Sequence, residues 1–144
     1  MIMIKVHQIL KQKESRLITI HSEATVFEAL EIMMKYNISA ILITKNGDLE
    51  GIFTERDYAR KVVLQGKSSK EVQIKEVMTH APIVISPDDT LDHCMALMTD
   101  KHIRHLPVKE GNQITGMVSI GDVVKFIIED QKETIKNLEG YLNS

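Results

Sequence analysis

The chain contains one internal duplication. When the sequence of 144 residues is compared with itself, it matches without a gap at positions 65 apart, the separation of Gly51 and Gly116. "GIFTERD" at 51–57 corresponds to "GMVSIGD" at 116–122, and each has a glycine, two apolar residues, a hydroxyl residue and a final aspartate. Any fold for this chain must therefore contain two similar units.

Each copy has the hydrophobic pattern of a β-α-β-β-α unit. In the first copy a short extended run at 16–20 precedes a helix that begins after Thr25. A buried strand at 40–44 then leads through an Asn-Gly turn into a returning strand, and a second helix follows over about 55–65. The second copy repeats this order, with "IVIS" at 83–86 as its first strand.

The order of elements predicts an α+β fold. A strand-helix-strand crossover is right-handed and makes its two strands parallel, so each unit is expected to have a three-stranded sheet with helices against it. Units of about 60 residues bury little surface alone. We therefore expect them to pack about a pseudo-two-fold axis, with two related clefts at the seam. The predicted divisions are repeat 1 at 8–65, a linker at 66–78, repeat 2 at 79–130 and a C-terminal helical tail at 131–144.

Composition argues against several classes of protein. A net charge of −2, three Phe, three Tyr and no Trp give little to attract or stack nucleic acid. No apolar run approaches the roughly 20 residues of a membrane span, and the single Cys94 has no disulfide partner in the chain. We predict a cytoplasmic protein with neither nucleic acid nor a membrane as its partner.

The duplicated motif has two interpretations. "TERD" and "SIGD" both have the form of a capping box, in which the hydroxyl side chain and the acid bond backbone N–H groups at a helix start. A helix start also suits phosphate, and a carboxylate there can accept both hydroxyls of a ribose. Capping does not exclude binding, so both interpretations stay open on the motif alone.

Taken together, the motifs resemble those of the tandem domain named for cystathionine beta-synthase, the CBS pair. The resemblance covers about residues 3–130 and is carried by both copies of the motif, by "VMTHAPIVISPDDTL" and by "HIRHLPV". It implies a regulatory module that binds adenosyl compounds such as AMP, ADP, ATP, S-adenosylmethionine or NAD(H). Stand-alone bacterial members that look like this chain belong to signal transduction. Family members also pair as discs, which implies a homodimer.

The resemblance also implies roles for particular residues. Asp57 and Asp122 would hold ribose, and Thr54 and Ser119 would contact ribose or phosphate. The other positions implied or suggested as ligand contacts are Arg104, His105, Thr79, Val84, Arg56 and Ala40.

The two clefts are expected to be unequal. Repeat 2 combines Ser119 and Asp122 with Arg104 and His105, and a guanidinium can pair with phosphate as a planar fork. Repeat 1 has Ala40 where repeat 2 has His105. We therefore expect the cleft of Asp122 to dominate AMP binding, and Asp122→Ala to weaken it by about tenfold to a hundredfold.

The sequence does not indicate catalysis. It offers no nucleophile-base pair, no metal-ligand shell and no glycine-rich phosphate loop, since "GKSSK" at 66–70 has Lys61 where a P-loop needs its first glycine. We predict a protein that is not an enzyme, with an adenine nucleotide as ligand and no catalytic cofactor or metal. The alternative is a protein-interaction scaffold with vestigial pockets.

The tail carries a separate signal. An apolar stripe follows the last repeat, while charged residues occupy the other positions. Its members are Ile128, Ile135, Leu138 and Leu142. We expect this helix to pack on a second copy or on the chain's own core. The effector protein that reads the state of the module cannot be identified from the sequence.

Overall fold

The computed structural model describes residues 3–13 and 16–142, with side chains as far as Gly140. The first helix is α1 (Val6–Lys13), which spans the predicted start of repeat 1 at position 8. Repeat 1 contains β1 (Thr19–His21), α2 (Val26–Lys35), β2 (Ala40–Lys45), β3 (Asp48–Thr54) and α3 (Glu55–Tyr58). A π-helical segment, Ala59–Val63, continues α3 where an α-helix was predicted. The linker forms a 3-10 turn at Ile74–Glu76, and a short strand β4 (Thr79–His80), which was not predicted, follows the linker.

The sheet of repeat 1 has the order β1-β2-β3-β4. β1 is parallel to β2, as the crossover predicted, and β2, β3 and β4 are antiparallel in turn. The β2–β3 hairpin turns at Asn46 and Gly47, whose φ angles of 53° and 84° match the left-handed geometry that an Asn-Gly turn favours.

Repeat 2 contains α4 (Leu91–Lys101), β5 (His105–Glu110), β6 (Gln113–Ser119) and α5 (Ile120–Leu142). Its sheet has two strands, and the strand predicted at 83–86 is reduced to one parallel bridge between Ile85 and Val108. Ile85 donates to the carbonyl of Pro107 and accepts from Lys109, both at 2.9 Å. Extending this ladder in either direction needs an N–H from Pro107 or Pro87, and proline has none. The expectation of three strands was therefore wrong for repeat 2.

A segment from outside each repeat completes its core. The N-terminal segment packs on repeat 2, and the linker packs on repeat 1. Ile4, Val6 and Ile9 from the N-terminal segment are buried in the core of repeat 2. The linker residues Ile74 and Val77 are buried in the core of repeat 1. Backbone bonds hold both segments, for example Val6 N–H to the carbonyl of Asp89 and Val26 N–H to that of Val72, each 2.9 Å. The sequence pattern gave no sign of this exchange.

The two repeats meet along their sheets. Ala40, Leu42 and Ile52 of β2 and β3 are buried there, and Ile114 and Met117 of β6 pack against them. Within the described ranges no helix is both long and apolar enough to span a bilayer. α5 runs unbroken from repeat 2 past position 131, where a separate tail was expected to begin.

Candidate functional site

A cleft of about 670 Å³ opens at the seam between the repeats. One wall is the start of α3, from Thr54 to Asp57, together with β4 and the loop after it. The opposite wall is residues 102–105, which lead from α4 into β5 of repeat 2. Its volume lies within the range of about 300–1,000 Å³ that is usual for small-molecule sites.

Asp57 is the buried carboxylate of this cleft. It caps α3: its N–H donates to the Thr54 hydroxyl (3.1 Å), and its Oδ2 accepts from the Thr54 N–H (3.0 Å). The predicted capping box is therefore confirmed at this position. The Thr79 hydroxyl from β4 donates to Oδ1 (3.2 Å), and Lys61 Nζ lies 3.2 Å from the same oxygen. The Asp57 side chain is 12% exposed, so it still reaches the cleft.

Repeat 2 contributes the facing polar groups. Arg104 lines the cleft and is exposed. His105 is half-buried, and its Nε2 is 3.0 Å from the Ser39 hydroxyl of repeat 1, a hydrogen bond that crosses the seam. Burial lowers the pKa of His105 below its ordinary 6.5, and Lys13 and Arg104 lower it further against the opposing effect of Asp122. His105 is therefore neutral at pH 7, and Arg104 supplies the positive charge on this wall.

Apolar side chains complete the cleft. Ile52 comes from β3, Pro82 and Ile83 follow β4, and Ile103 precedes β5. Ile83 is 37% exposed although it is aliphatic. An apolar surface between a buried carboxylate and a guanidinium suits a ligand with a flat apolar part, a polyol and an anionic group.

The second capping box does not open onto a comparable space. Ser119 N–H donates to Asp122 Oδ2 (2.8 Å) and Asp122 N–H donates to the Ser119 hydroxyl (3.1 Å), so the cap itself is confirmed. Lys13 of α1 forms an ion pair with this carboxylate, with its Nζ 2.8 Å from Asp122 Oδ2. The same Nζ donates a hydrogen bond to the carbonyl of Met117, also at 2.8 Å. The pocket beside this pair measures only about 60 Å³.

The predicted site residues are therefore divided between places. Thr54, Arg56, Asp57, Thr79, Arg104 and His105 line the large cleft. Asp122 lines the small pocket, and Ser119 caps its helix beside it. Ala40 is buried in the seam with 1% exposure, and Val84 is 41% exposed outside both linings.

The structure groups Arg104 differently from the expectation. Arg104 lines the same cleft as Thr54 and Asp57 of repeat 1, and it does not line the small pocket of Asp122. The guanidinium and the open space therefore lie at the cleft of Asp57, whereas the sequence led us to expect the cleft of Asp122 to dominate. Sequence reasoning also missed Ser39 and Ile83 as lining residues. The duplication held a signal for Ser39, since it corresponds to Arg104 at the offset of 65.

The other groups with possible chemistry are clusters of metal-binding side chains and the thiol of Cys94. Within the described ranges, no group of three or more His, Cys, Asp or Glu side chains lies close enough together to hold a metal ion. Cys94 is buried in the core of repeat 2. Burial, and to a lesser extent Asp89, raise the pKa of its thiol to about 11, so it is an unreactive thiol at neutral pH.

Two segments of the chain, residues 8–64 and 74–129, match the family model of the CBS domain. The chain belongs to the CBS-domain family. A relative from Arabidopsis thaliana, the mitochondrial CBS domain-containing protein CBSX3, is 39% identical over 126 residues, which are 84% of this chain and 61% of that protein. The chain thus spans less than two thirds of that relative's length. YhcV of Bacillus subtilis, also a CBS domain-containing protein, is 31% identical over 73% of this chain and 74% of its own length.

Solved structures agree with the CBS-pair fold. A candidate signal-transduction protein with CBS domains from Burkholderia ambifaria is 44% identical, with a TM-score of 0.84 over 88% of this chain and 96% of that one. The CBS domain pair of protein MJ0100, in complex with 5-methylthioadenosine and S-adenosyl-L-methionine, is 30% identical, with a TM-score of 0.79 over 90% of this chain and 99% of that one. Because one relative is mitochondrial, the cytoplasmic location stays a prediction.

Proposed function

We propose that this CBS pair is a regulatory module that binds an adenine nucleotide in the cleft of Asp57 and signals through a change at the seam. One observation carries the proposal: a buried carboxylate of repeat 1 and the guanidinium of Arg104 in repeat 2 line the same cleft of about 670 Å³. A ligand that spans this cleft contacts both repeats at once.

Different residues of the cleft suit the adenine, the ribose and the phosphate of a nucleotide. Ile52 and Ile83 offer apolar surface for adenine, and the carboxylate of Asp57 accepts from ribose hydroxyls. Arg104 pairs with phosphate because it keeps its charge at any physiological pH and offers a planar fork of donors. His105 is neutral there and contributes a hydrogen bond in place of a charge.

A solved neighbour supports an adenosyl ligand, and two arginines of this chain favour a phosphorylated one. Protein MJ0100, which shares the fold, is in complex with two adenosyl compounds. Neither compound carries a phosphate. Arg104 and Arg56 beside the cleft favour a phosphorylated adenosyl ligand for this chain, such as AMP, ADP, ATP or NAD(H).

The signal would be a population shift. A nucleotide that touches both repeats binds the closed seam more tightly than a loosened one, and its differential affinity sets the size of the response. The hydrogen bond between Ser39 and His105 already crosses the seam at this cleft, so closure and occupancy are coupled at one place. An effector protein would read the closed state, with no chemical step in the module.

A homodimer forms part of the proposal. Apolar side chains remain exposed on the helical faces of both repeats, among them Met34 at 84% and Leu64 at 76% in repeat 1, and Leu138 at 60% on α5. A second copy would cover surfaces of this kind.

A protein-interaction scaffold is the second candidate. Its support is that Asp57 already accepts hydrogen bonds from Thr54 and Thr79 and pairs with Lys61, which makes the carboxylate self-sufficient as a structural cap. Such a protein would keep the fold and the exposed helical faces and bind no nucleotide.

Isothermal titration with AMP, ATP, NADH and S-adenosylmethionine separates the two candidates. We expect at least one phosphorylated ligand to bind at one site per chain, and 2′-deoxy-AMP to bind more weakly than AMP because one ribose hydroxyl is missing. Overnight incubation with the bound nucleotide should return it unchanged. If none of the four ligands binds, and none is carried through native purification by mass spectrometry, the scaffold is correct.

A further inference from the structure

α5 has two apolar faces. One packs in the core of repeat 2 through Val123, Phe126 and Ile127. The other is uncovered in this chain, and its residues are 45% to 60% exposed: Val124, Ile128, Ile135 and Leu138. From Gln131 to Gly140 every side chain of the helix is exposed. A helical segment with this little burial is marginal in water on its own, so a partner would stabilise this half of α5.

The spacing of the uncovered face identifies the kind of partner. Val124, Ile128, Gln131, Ile135 and Leu138 are separated by four, three, four and three residues, which is the alternation of a heptad seam. Leu142, whose side chain lies outside the described part, continues the sequence pattern by four more. A seam of this kind packs against another helix with the same repeat.

We infer that α5 pairs in parallel and in register with α5 of a second copy, as a two-stranded coiled coil. Ile128 and Ile135 occupy the first core position of the heptad, and Val124, Gln131 and Leu138 occupy the fourth. The two β-branched first positions, together with Leu138, fit the pattern that favours two parallel strands.

Gln131 decides the direction. In a parallel pair it faces its own copy, and the two amides can hydrogen-bond to each other. In the antiparallel pair that overlaps the stripe most fully, Gln131 faces Ile135, and the buried amide would have no hydrogen-bond partner. Only the parallel arrangement therefore places the polar Gln131 opposite a polar residue and each apolar residue of the seam opposite an apolar one.

The flanking charges are compatible with the parallel pair. The positions that face each other across such a seam are Ile127 with Lys132, and Thr134 with Glu139. Neither contact joins like charges, and the lysine stem can cover Ile127. This arrangement rests on the homodimer of the proposed function and is independent of nucleotide binding.

Cysteine crosslinking tests the register directly, because the single cysteine of the native sequence is not expected to form disulfides. Cys94 is fully buried and its pKa is about 11. Ile135→Cys places a thiol in the seam, and Lys136→Cys places one on the neighbouring outer position of the same exposed helix turn. Under mild oxidation of the full chain we expect the Ile135→Cys protein to run mostly as a disulfide dimer, and the Lys136→Cys protein and wild type to run as monomers.

Two further measurements separate the possible failures. A mixture of Gln131→Cys and Ile135→Cys chains would crosslink to each other preferentially if the pair were antiparallel, which would overturn the parallel register. If sedimentation still gives a dimer but Ile135→Cys crosslinks no better than Lys136→Cys, the coiled coil is wrong while the homodimer stands. A monomer at micromolar concentration would overturn the homodimer as well.

Discussion

The two capping boxes are alike in their own bonds and opposite in their surroundings. Asp57 and Asp122 each accept from the N–H of the cap residue, at 3.0 and 2.8 Å, and each donates back to its hydroxyl at 3.1 Å. Asp57 opens onto about 670 Å³, whereas Asp122 is paired with Lys13 beside about 60 Å³. The difference comes from the segment that docks on each repeat: β4, which follows the linker, brings Thr79 to Asp57, and α1 brings a lysine to Asp122.

This comparison teaches that a local motif fixes the helix start but not its availability to a ligand. Both carboxylates carry the same cap, so capping alone cannot distinguish them. Both carboxylates have a lysine nearby: Lys61 lies 3.2 Å from Asp57 on its own helical turn, and Lys13 lies 2.8 Å from Asp122. The lysine at Asp122 comes from a distant segment, and only Asp57 has a large open space beside it.

The duplicated glycines should give the largest difference in stability. A Cβ added at Gly51 would lie 2.6 Å from the carbonyl oxygen of Thr79 and 2.8 Å from Met78 Sδ, whereas one at Gly116 would lie 2.9 Å from a methyl group of Leu10. Backbone cannot move aside as a leucine side chain can. We expect Gly51→Ala to cost about 3 kcal/mol and Gly116→Ala about 1 kcal/mol, measured by urea unfolding. Equal losses of unfolding free energy would mean that β4 moves aside for an added Cβ as easily as the Leu10 side chain of α1 does.

Arg104 should affect one class of ligand only. Arg104→Met keeps much of the side-chain volume and removes the charge, so we expect it to weaken AMP binding about tenfold and to leave adenosine binding unchanged. Lys125→Met is the matched control, because Lys125 lines the small pocket of Asp122. A tenfold loss from Lys125→Met, with none from Arg104→Met, would assign the phosphate to the other cleft.

Much of the fold could be predicted from the sequence because its signals are local. The duplication can be seen by comparing the sequence with itself, and two segments match the same family model. The Thr25 helix start, the Asn46-Gly47 turn and both capping boxes each depend on residues close together in the chain, and all are confirmed. The division of the site could not be predicted in the same way. Docking of α1 on repeat 2, the strand β4 and the position of Arg104 opposite Asp57 depend on contacts between residues far apart in the chain.

The ion pair of Asp122 should contribute to stability where that of Asp57 does not. Lys13 and Asp122 are 24% and 19% exposed, and the lysine has a second bond to the carbonyl of Met117. Lys61, beside Asp57, is 43% exposed on the same helical turn. We expect Lys13→Met to cost about 1 kcal/mol and Lys61→Met less than about 0.5 kcal/mol in thermal unfolding. A double-mutant cycle of Lys13→Met with Asp122→Asn should show coupling, and additive losses would contradict the pair.

His105 links the two regions and should give the smallest effect. Because burial lowers its pKa below 6.5, the histidine is neutral in both folded and unfolded chains above that pH. As the pH falls below 6.5, the unfolded chain takes up the proton first, so stability is lost down to the folded pKa. His105→Gln should reduce the fall in unfolding free energy between pH 7.5 and 5.5. An unchanged fall would show that other groups cause it.

Paired substitution of the two carboxylates tests the central claim most directly. Asp57→Asn and Asp122→Asn are isosteric substitutions, and each amide oxygen can still accept a hydrogen bond at the helix cap. Any loss that comes from the cap itself should therefore be equal in the two variants. Titrated with AMP under identical conditions, Asp57→Asn should bind about tenfold to a hundredfold more weakly than wild type, because a charged acceptor for ribose is lost. Asp122→Asn should bind within about threefold of wild type. The reverse order of affinities, with both proteins folded, would contradict the assignment of the nucleotide to the cleft of Asp57.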